Sequence, residues 1–274
     1  SRTPPTVGPS IGYITMAMAV VPMLGPTVGG VLDEALGWRA SFAAYTTLGA
    51  AALCLTWTDV GETNRTRSHD FAVQMRGYPA LIGSGRYWGY ALCMAFSTGA
   101  FYVFLAGAPA VATGTVGLST AGLGVGMGMM TAGFAVGAFL SGRYSARHPR
   151  TTMMIAGRLV ALTGLLVGFG LFLAGLAHPA ALFGPVVLAG LGNGLTMPSC
   201  NAGTLSVKPD LAGSASGLAG SLTVGGGALL TTVAGIAVTP DTGVPALFGV
   251  MLACVLAGLA AALAVRRAER RPAG

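Results

Sequence analysis

The feature that most constrains this chain is a series of apolar runs about twenty residues long, separated by short stretches that hold most of the charge. A helix rises about 1.5 Å per residue, so crossing roughly 30 Å of hydrocarbon takes about 20 residues. On that ruler the sequence predicts eight transmembrane helices, at 11–32, 40–58, 87–110, 121–141, 152–175, 180–201, 213–236 and 244–265. Charged residues make up 8% of the chain and hydrophobic residues 53%, with a mean hydropathy of +0.72. A soluble domain carries about 25% charged residues. Membrane-spanning strands are excluded too, because they alternate apolar and polar residues over about ten positions. The fold class is an all-α integral membrane protein embedded in the lipid bilayer.

The net charge of +7 does not point to nucleic acid, because the basic residues sit in short loops rather than on one soluble face. Arg65, Arg67, Arg76 and Arg86 lie in the longest polar stretch, Arg143, Arg147 and Arg150 between the fourth and fifth spans, Lys208 between the sixth and seventh, and Arg266, Arg267, Arg270 and Arg271 after the eighth. Eight alternating spans put all of these on one side, together with Arg2, and leave Arg39 with Asp33, Glu34 and Asp241 on the other. The positive-inside bias makes the first side cytoplasmic, so both ends of the chain are expected there.

Enzyme and cofactor signatures are missing. The chain has no GxxxxGK[ST] and no HExxH, and His69, His148 and His178 are isolated from one another. Cys54, Cys93, Cys200 and Cys254 fall in four different spans without CxxC spacing, which reads as free buried thiols and no metal site. No cofactor is expected, and no enzymatic activity.

Helix packing is signalled by small-xxx-small pairs: Gly25/Gly29, Gly133/Gly137, Gly164/Gly168, Gly190/Gly194 and Gly213/Gly217. Such pairs let backbones approach where lipid supplies little drive for association. The first span carries two of its own breakers, Pro22 and Pro26, beside Gly25, Gly29 and Gly30. Neighbouring helices can shelter the freed backbone groups, so this stretch reads as a bent helix pressed against another.

Four groups of residues are candidates for function. Asp33 and Glu34 end the first span, with Arg39 six residues from Asp33; they form either a solvated helix end or an outer gate. Asn193 and Asn201 lie in one span, where an amide must face protein or a cavity; they serve helix–helix bonding or substrate contact. Phe96, Phe101, Tyr102 and Phe104 lie on the third span beside Ser97 and Thr98, and form either packing aromatics or one wall of an apolar cavity for drug-like ligands. Arg143 and Arg147, after Gly142 and spaced i,i+4, read as topology anchors at the end of the fourth span. Arg158 lies several residues inside the fifth span and is expected to snorkel back to the membrane surface.

The word Gly25-Pro26-Thr27-Val28-Gly29-Gly30, followed by Gly37-Trp38-Arg39 and Phe42, resembles motif C, the fifth-helix signature of drug/proton antiporters in the major facilitator superfamily. The surrounding GYITMAMAVVPMLGP and LDEALGWRASF are most similar to the bicyclomycin-resistance (Bcr/CflA) family of multidrug efflux pumps. Residues 137–160 resemble the second copy of the family's cytoplasmic loop motif, with Gly142, Arg143 and Arg147. Residues 190–222 resemble its tenth-to-eleventh helix segment.

The resemblance implies that the eight spans are helices five to twelve of the major facilitator fold, with the first four absent from this chain. Residues 1–60 would then end the N-terminal half-bundle, 61–86 would be the central cytoplasmic loop, 87–265 the C-terminal half-bundle and 266–274 a basic tail. It implies proton-coupled export of a small drug-like molecule across a bacterial inner membrane by a protein that is monomeric when complete. Pro22, Gly25, Pro26, Gly29 and Gly30 would seal the interface between halves. Alternatives are nutrient or metabolite transport by the same fold, or a degenerate membrane protein that transports nothing.

Overall fold

The computed structural model describes residues 28, 32, 35–59, 78–114, 120–176, 178–239 and 242–270. Seven helices within them are long and apolar enough to cross a membrane. They are α1 (Trp38–Asp59), α2 (Gly85–Gly114), α3 (Thr120–Tyr144), α4 (Arg150–Leu173), α5 (Pro179–Val207), α6 (Ala212–Ala237) and α7 (Gly243–Arg270). A 3-10 turn, Pro209–Leu211, leads into α6. No strand occurs among the described residues. The first expected span, 11–32, falls almost wholly outside them. The other seven are found, with ends moved by a few residues.

One departure is at the end of α7, which stays helical to Arg270 where a basic tail is expected from 266. Glu269 explains why. Its carboxylate accepts from Tyr90 Oη at 2.6 Å and pairs with Arg86 at 3.3 Å, which ties the last turn of α7 to the first turns of α2.

Helices α2 to α7 form one bundle. Helix α5 packs mainly on α3 and α4, α2 packs mainly on α7 and α6, α4 meets α7, and α2 meets α5. Exchanging α2 with α5, α3 with α6 and α4 with α7 maps this pattern onto itself. The bundle is thus two three-helix repeats, and three crossings per repeat give the two copies opposite senses through the membrane. Helix α1 stands apart: none of its apolar window is buried, and Leu48 and Trp57 are 67% and 86% exposed. Its threonine hydroxyls at 46, 47, 56 and 58 bond back to carbonyls of their own helix.

Glycine sets how closely the helices meet. A Cβ on Gly133 or Gly137 of α3 would lie 2.2 or 2.1 Å from the carbonyl oxygens of Val187 or Leu191. Reciprocally, one on Gly190 or Gly194 of α5 would lie 2.1 or 2.2 Å from those of Met130 or Phe134. Gly157 and Gly192 clash with each other's carbonyls in the same way between α4 and α5, at 2.4 and 2.2 Å. Gly164 and Gly168 also stand in close contact, against Leu188, Pro185 and Phe248. Gly213 and Gly217 meet nothing within 4 Å, and Gly25/Gly29 lie outside the described residues. Three cysteines are buried as expected, but Cys54 is exposed on α1.

Substitution separates the two kinds of contact. Gly190→Ala meets a fixed backbone and should destabilise the bundle by about 1–3 kcal/mol, the usual cost of overpacking. Gly99→Ala meets the mobile end of Leu230 at 2.3 Å and should cost far less. Thermal melting of the two purified variants in one detergent checks the order.

Candidate functional site

The centre of the bundle is polar. Arg158 heads the largest fully buried side chains, with no exposed surface. It lies eight residues beyond Arg150, the first residue of α4, so it sits about 12 Å along the helix, beyond the reach of a snorkelling side chain. The expected return to the membrane surface therefore does not occur. The guanidinium instead turns inward. Nε donates to Thr196 Oγ1 at 3.1 Å and Nη2 donates to Asn193 Oδ1 at 2.5 Å, both on α5. Nη1 has no acceptor. Where α7 passes, Gly258 leaves room for the arginine stem, since a Cβ there would be 3.3 Å from Arg158 Cδ.

The acceptors are themselves held. Asn193 Nδ2 donates to the Ser97 carbonyl on α2 at 3.1 Å. Thr196 Oγ1 donates to the Gly192 carbonyl at 2.8 Å, and Ser97 Oγ to the Cys93 carbonyl at 2.6 Å. One charge thus joins α4, α5 and α2. All of its partners are neutral oxygens, and charge-assisted bonds to them offset part of the cost of burying an ion.

Asn193 is therefore brought together with Arg158, a partner that its position alone did not suggest. Asn201 is exposed, where the sequence led us to expect it against protein or a cavity. The four aromatics of α2 do not form one wall. Phe104 is buried edge-on against Phe183 of α5, with centroids 6.1 Å apart. Tyr102 fills the notch at Gly227 of α6, and Phe96 lies beside Gly258 of α7. Phe101 packs against the small cluster of Phe134 and Ala138, which Met197 also joins. Thr98 Oγ1 meets Met197 Sδ at 3.6 Å, so Thr98, Phe101 and Met197 make a half-buried group between α2 and α5.

Gly142, Arg143 and Arg147 are exposed at the end of α3 and in the turn after it. Arg39 is exposed and stacks over Trp38, 5.0 Å from the ring centroid. Its expected partners Asp33 and Glu34, and the motif residues Pro22, Gly25, Pro26, Gly29 and Gly30, lie outside the described residues. Sequence reasoning placed Arg158 but misjudged its direction, and it did not single out Tyr90 or Glu269. The signal for Arg158 was its depth, together with amide and hydroxyl groups at depth on another span.

The Major Facilitator Superfamily model matches residues 2–231. The chain belongs to that superfamily, whose members are transporters of small molecules rather than enzymes, and it is a multi-pass membrane protein. It is 31% identical over 137 residues to a chloramphenicol resistance protein of Pseudomonas aeruginosa, a match covering 50% of this chain and 31% of that protein. It is 27% identical over 235 residues to multidrug resistance protein D of Escherichia coli, covering 84% of this chain and 57% of that protein. The matches thus span 31% and 57% of the lengths of these two relatives. A crystal structure of a bacterial homolog of the human lysosomal transporter Spinster, inward-facing and unoccupied, aligns with a TM-score of 0.47 at 15% identity, over 95% of this chain and 63% of that one.

Removing an acceptor from a buried charge should cost more than removing the charge with it. Asn193→Leu leaves Arg158 Nη2 unpaired and should lower stability by about 1.5–3 kcal/mol. The double variant Asn193→Leu/Arg158→Met should recover part of that loss. A double-mutant cycle by thermal unfolding in detergent measures the coupling.

Proposed function

We propose that the protein is a secondary transporter that exports drugs or antibiotics in exchange for protons, of the bicyclomycin-resistance type. The observation that carries this reading is the pair of matched relatives, both named for drug resistance. The motif-C word Gly25-Pro26-Thr27-Val28-Gly29-Gly30 supports an antiporter over a nutrient carrier. Export belongs to the whole protein, which acts as a monomer in a bacterial inner membrane, with the basic ends of the helices cytoplasmic.

In this reading two half-bundles rock about a central cavity. Residues 1–60 end the N-terminal half, 61–86 form the linking loop and α2 to α7 form the C-terminal half. The half-buried group of Thr98, Phe101 and Met197 contributes an apolar wall with one hydroxyl, which suits a drug-like molecule. Phe104 and Asn193 support that wall from behind. The dry seams of α5 keep the half rigid as it turns.

Cells expressing the protein should accumulate less radiolabelled chloramphenicol than control cells, and a protonophore should erase the difference. Gly25→Leu or Pro26→Leu should abolish export while the variant still reaches the membrane at normal abundance. Unchanged accumulation on expression of the unaltered protein would sink the export reading. Export that persists under the protonophore would sink proton coupling.

A further inference from the structure

Two reactive side chains, Cys93 on α2 and Cys200 on α5, have no part in the transport reading, and their meeting follows from helix register. Helices α2 and α5 run antiparallel and touch at two fixed points. At one, Asn193 Nδ2 bonds to the Ser97 carbonyl at 3.1 Å. At the other, the Tyr90 ring covers Gly203, where a Cβ would be 2.3 Å from the ring. Cys93 is one turn from Ser97 and Cys200 nearly one turn from Gly203, so the two thiols face each other between these contacts. Both cysteines lie in one buried cluster, and Arg158 reaches the same depth, since its Cδ and the Cys93 carbonyl both border Gly258.

The surroundings are rich in sulphur. Met94 and Met154 are buried in the same cluster, and Met197 packs at its edge, half-buried. No group of three or more His, Cys, Asp or Glu occurs among the described residues, so a zinc site with its usual four ligands is not offered. A soft monovalent ion with a filled d shell is different. Thiolates and thioethers select Cu(I), and two thiolates in line suffice to hold it.

Charge decides in favour of such an ion. Two thiolates around one monovalent cation carry a net charge of −1, which would be costly in a dry membrane interior. Arg158 stands beside them with Nη1 lacking any acceptor. We propose that Cys93 and Cys200 form a two-coordinate site for a soft monovalent ion of the Cu(I) or Ag(I) class, with Arg158 as its counter-charge. On binding, each thiol gives its proton to the buffer, two metal–sulphur bonds form and the metal keeps its oxidation state. Hard divalent ions gain nothing there. The site stands whether or not the protein exports drugs.

The test uses the purified chain in detergent under argon, with Cu(I) added as its acetonitrile complex. Native mass spectrometry should show one copper per chain at one equivalent. Cys93→Ser and Cys200→Ser should each lose it, while Cys54→Ser and Cys254→Ser should retain it. Arg158→Leu should weaken binding by about tenfold or more, the usual effect of removing a supporting group. X-ray absorption on the unaltered protein needs no variant and should show two sulphur ligands. Failure to take up copper, nitrogen or oxygen ligation, or uptake that survives Cys93→Ser and moves to exposed Cys54 would overturn the proposal.

Discussion

Where α5 crosses α3 there is no side chain between the two backbones. Gly190 and Gly194 face the carbonyls of Met130 and Phe134, and Gly133 and Gly137 face those of Val187 and Leu191. Lipid tails are as apolar as leucine, so burying apolar side chains does little to bring membrane helices together. Close backbone contact replaces that drive with dispersion over a long seam. The same seam recurs between α4 and α5 at Gly157 and Gly192. Helix α5 is gripped on two sides, and the other helices are arranged about it.

The dryness of these seams dictates the chemistry inside them. A guanidinium that cannot reach water must find oxygen in the protein. Arg158 finds it on α5, through Thr196 and Asn193, and Asn193 extends the chain of bonds to α2. These polar residues occupy positions where the backbones already lie close: Thr196 is one turn from Gly192, and its hydroxyl is 2.4 Å from a Cβ built on Gly157. Tight packing and the polar centre are thus one arrangement. Loosening the seam would admit water and lower the cost of an unpaired charge. Removing the charge would take away a bond network that fixes three helices at one depth.

The number and placing of the spans were legible because membrane thickness imposes a length and lipid imposes an apolar composition. Both leave their mark on local sequence. The glycine pairs at 133/137 and 190/194 were legible for the same reason, since a four-residue period is a local property of one helix. What met what was not. Phe96, Phe101, Tyr102 and Phe104 sit within nine residues, yet they point at α7, α3 with α5, α6 and α5 in turn. Successive residues turn about 100° around a helix, so a cluster in sequence scatters among neighbours. Arg158 was misjudged because snorkelling depends on whether one face of α4 meets lipid or protein, and its sequence is apolar on every side. The link from Glu269 to Tyr90 joins residues 179 positions apart and leaves no local pattern.

The two repeats share a contact pattern but not a packing chemistry. In the half built around α5, backbone meets backbone at Gly133, Gly137, Gly157, Gly190, Gly192 and Gly194, and a ring fills a notch at Gly126. In the half built around α2, side chains fill glycine notches: Leu230 at Gly99, Tyr102 at Gly227, Val265 at Gly89 and Leu247 at Gly107. A side chain in a notch can change rotamer and let the helices slide by a fraction of a turn, whereas a carbonyl against a glycine Cα cannot. Helix α2 is therefore the more adjustable of the two central helices, though it occupies the position equivalent to α5. Its fixed points are few: the Ser97 carbonyl held by Asn193, the Tyr87 hydroxyl on the Ala215 carbonyl at 2.8 Å, and Tyr90 with Arg86 on Glu269. Three of those four residues lie within the first two turns of α2. The far half of α2, which carries Phe101 and Tyr102, is held by apolar packing, with Val103, Phe104, Ala108 and Val111 in the main core.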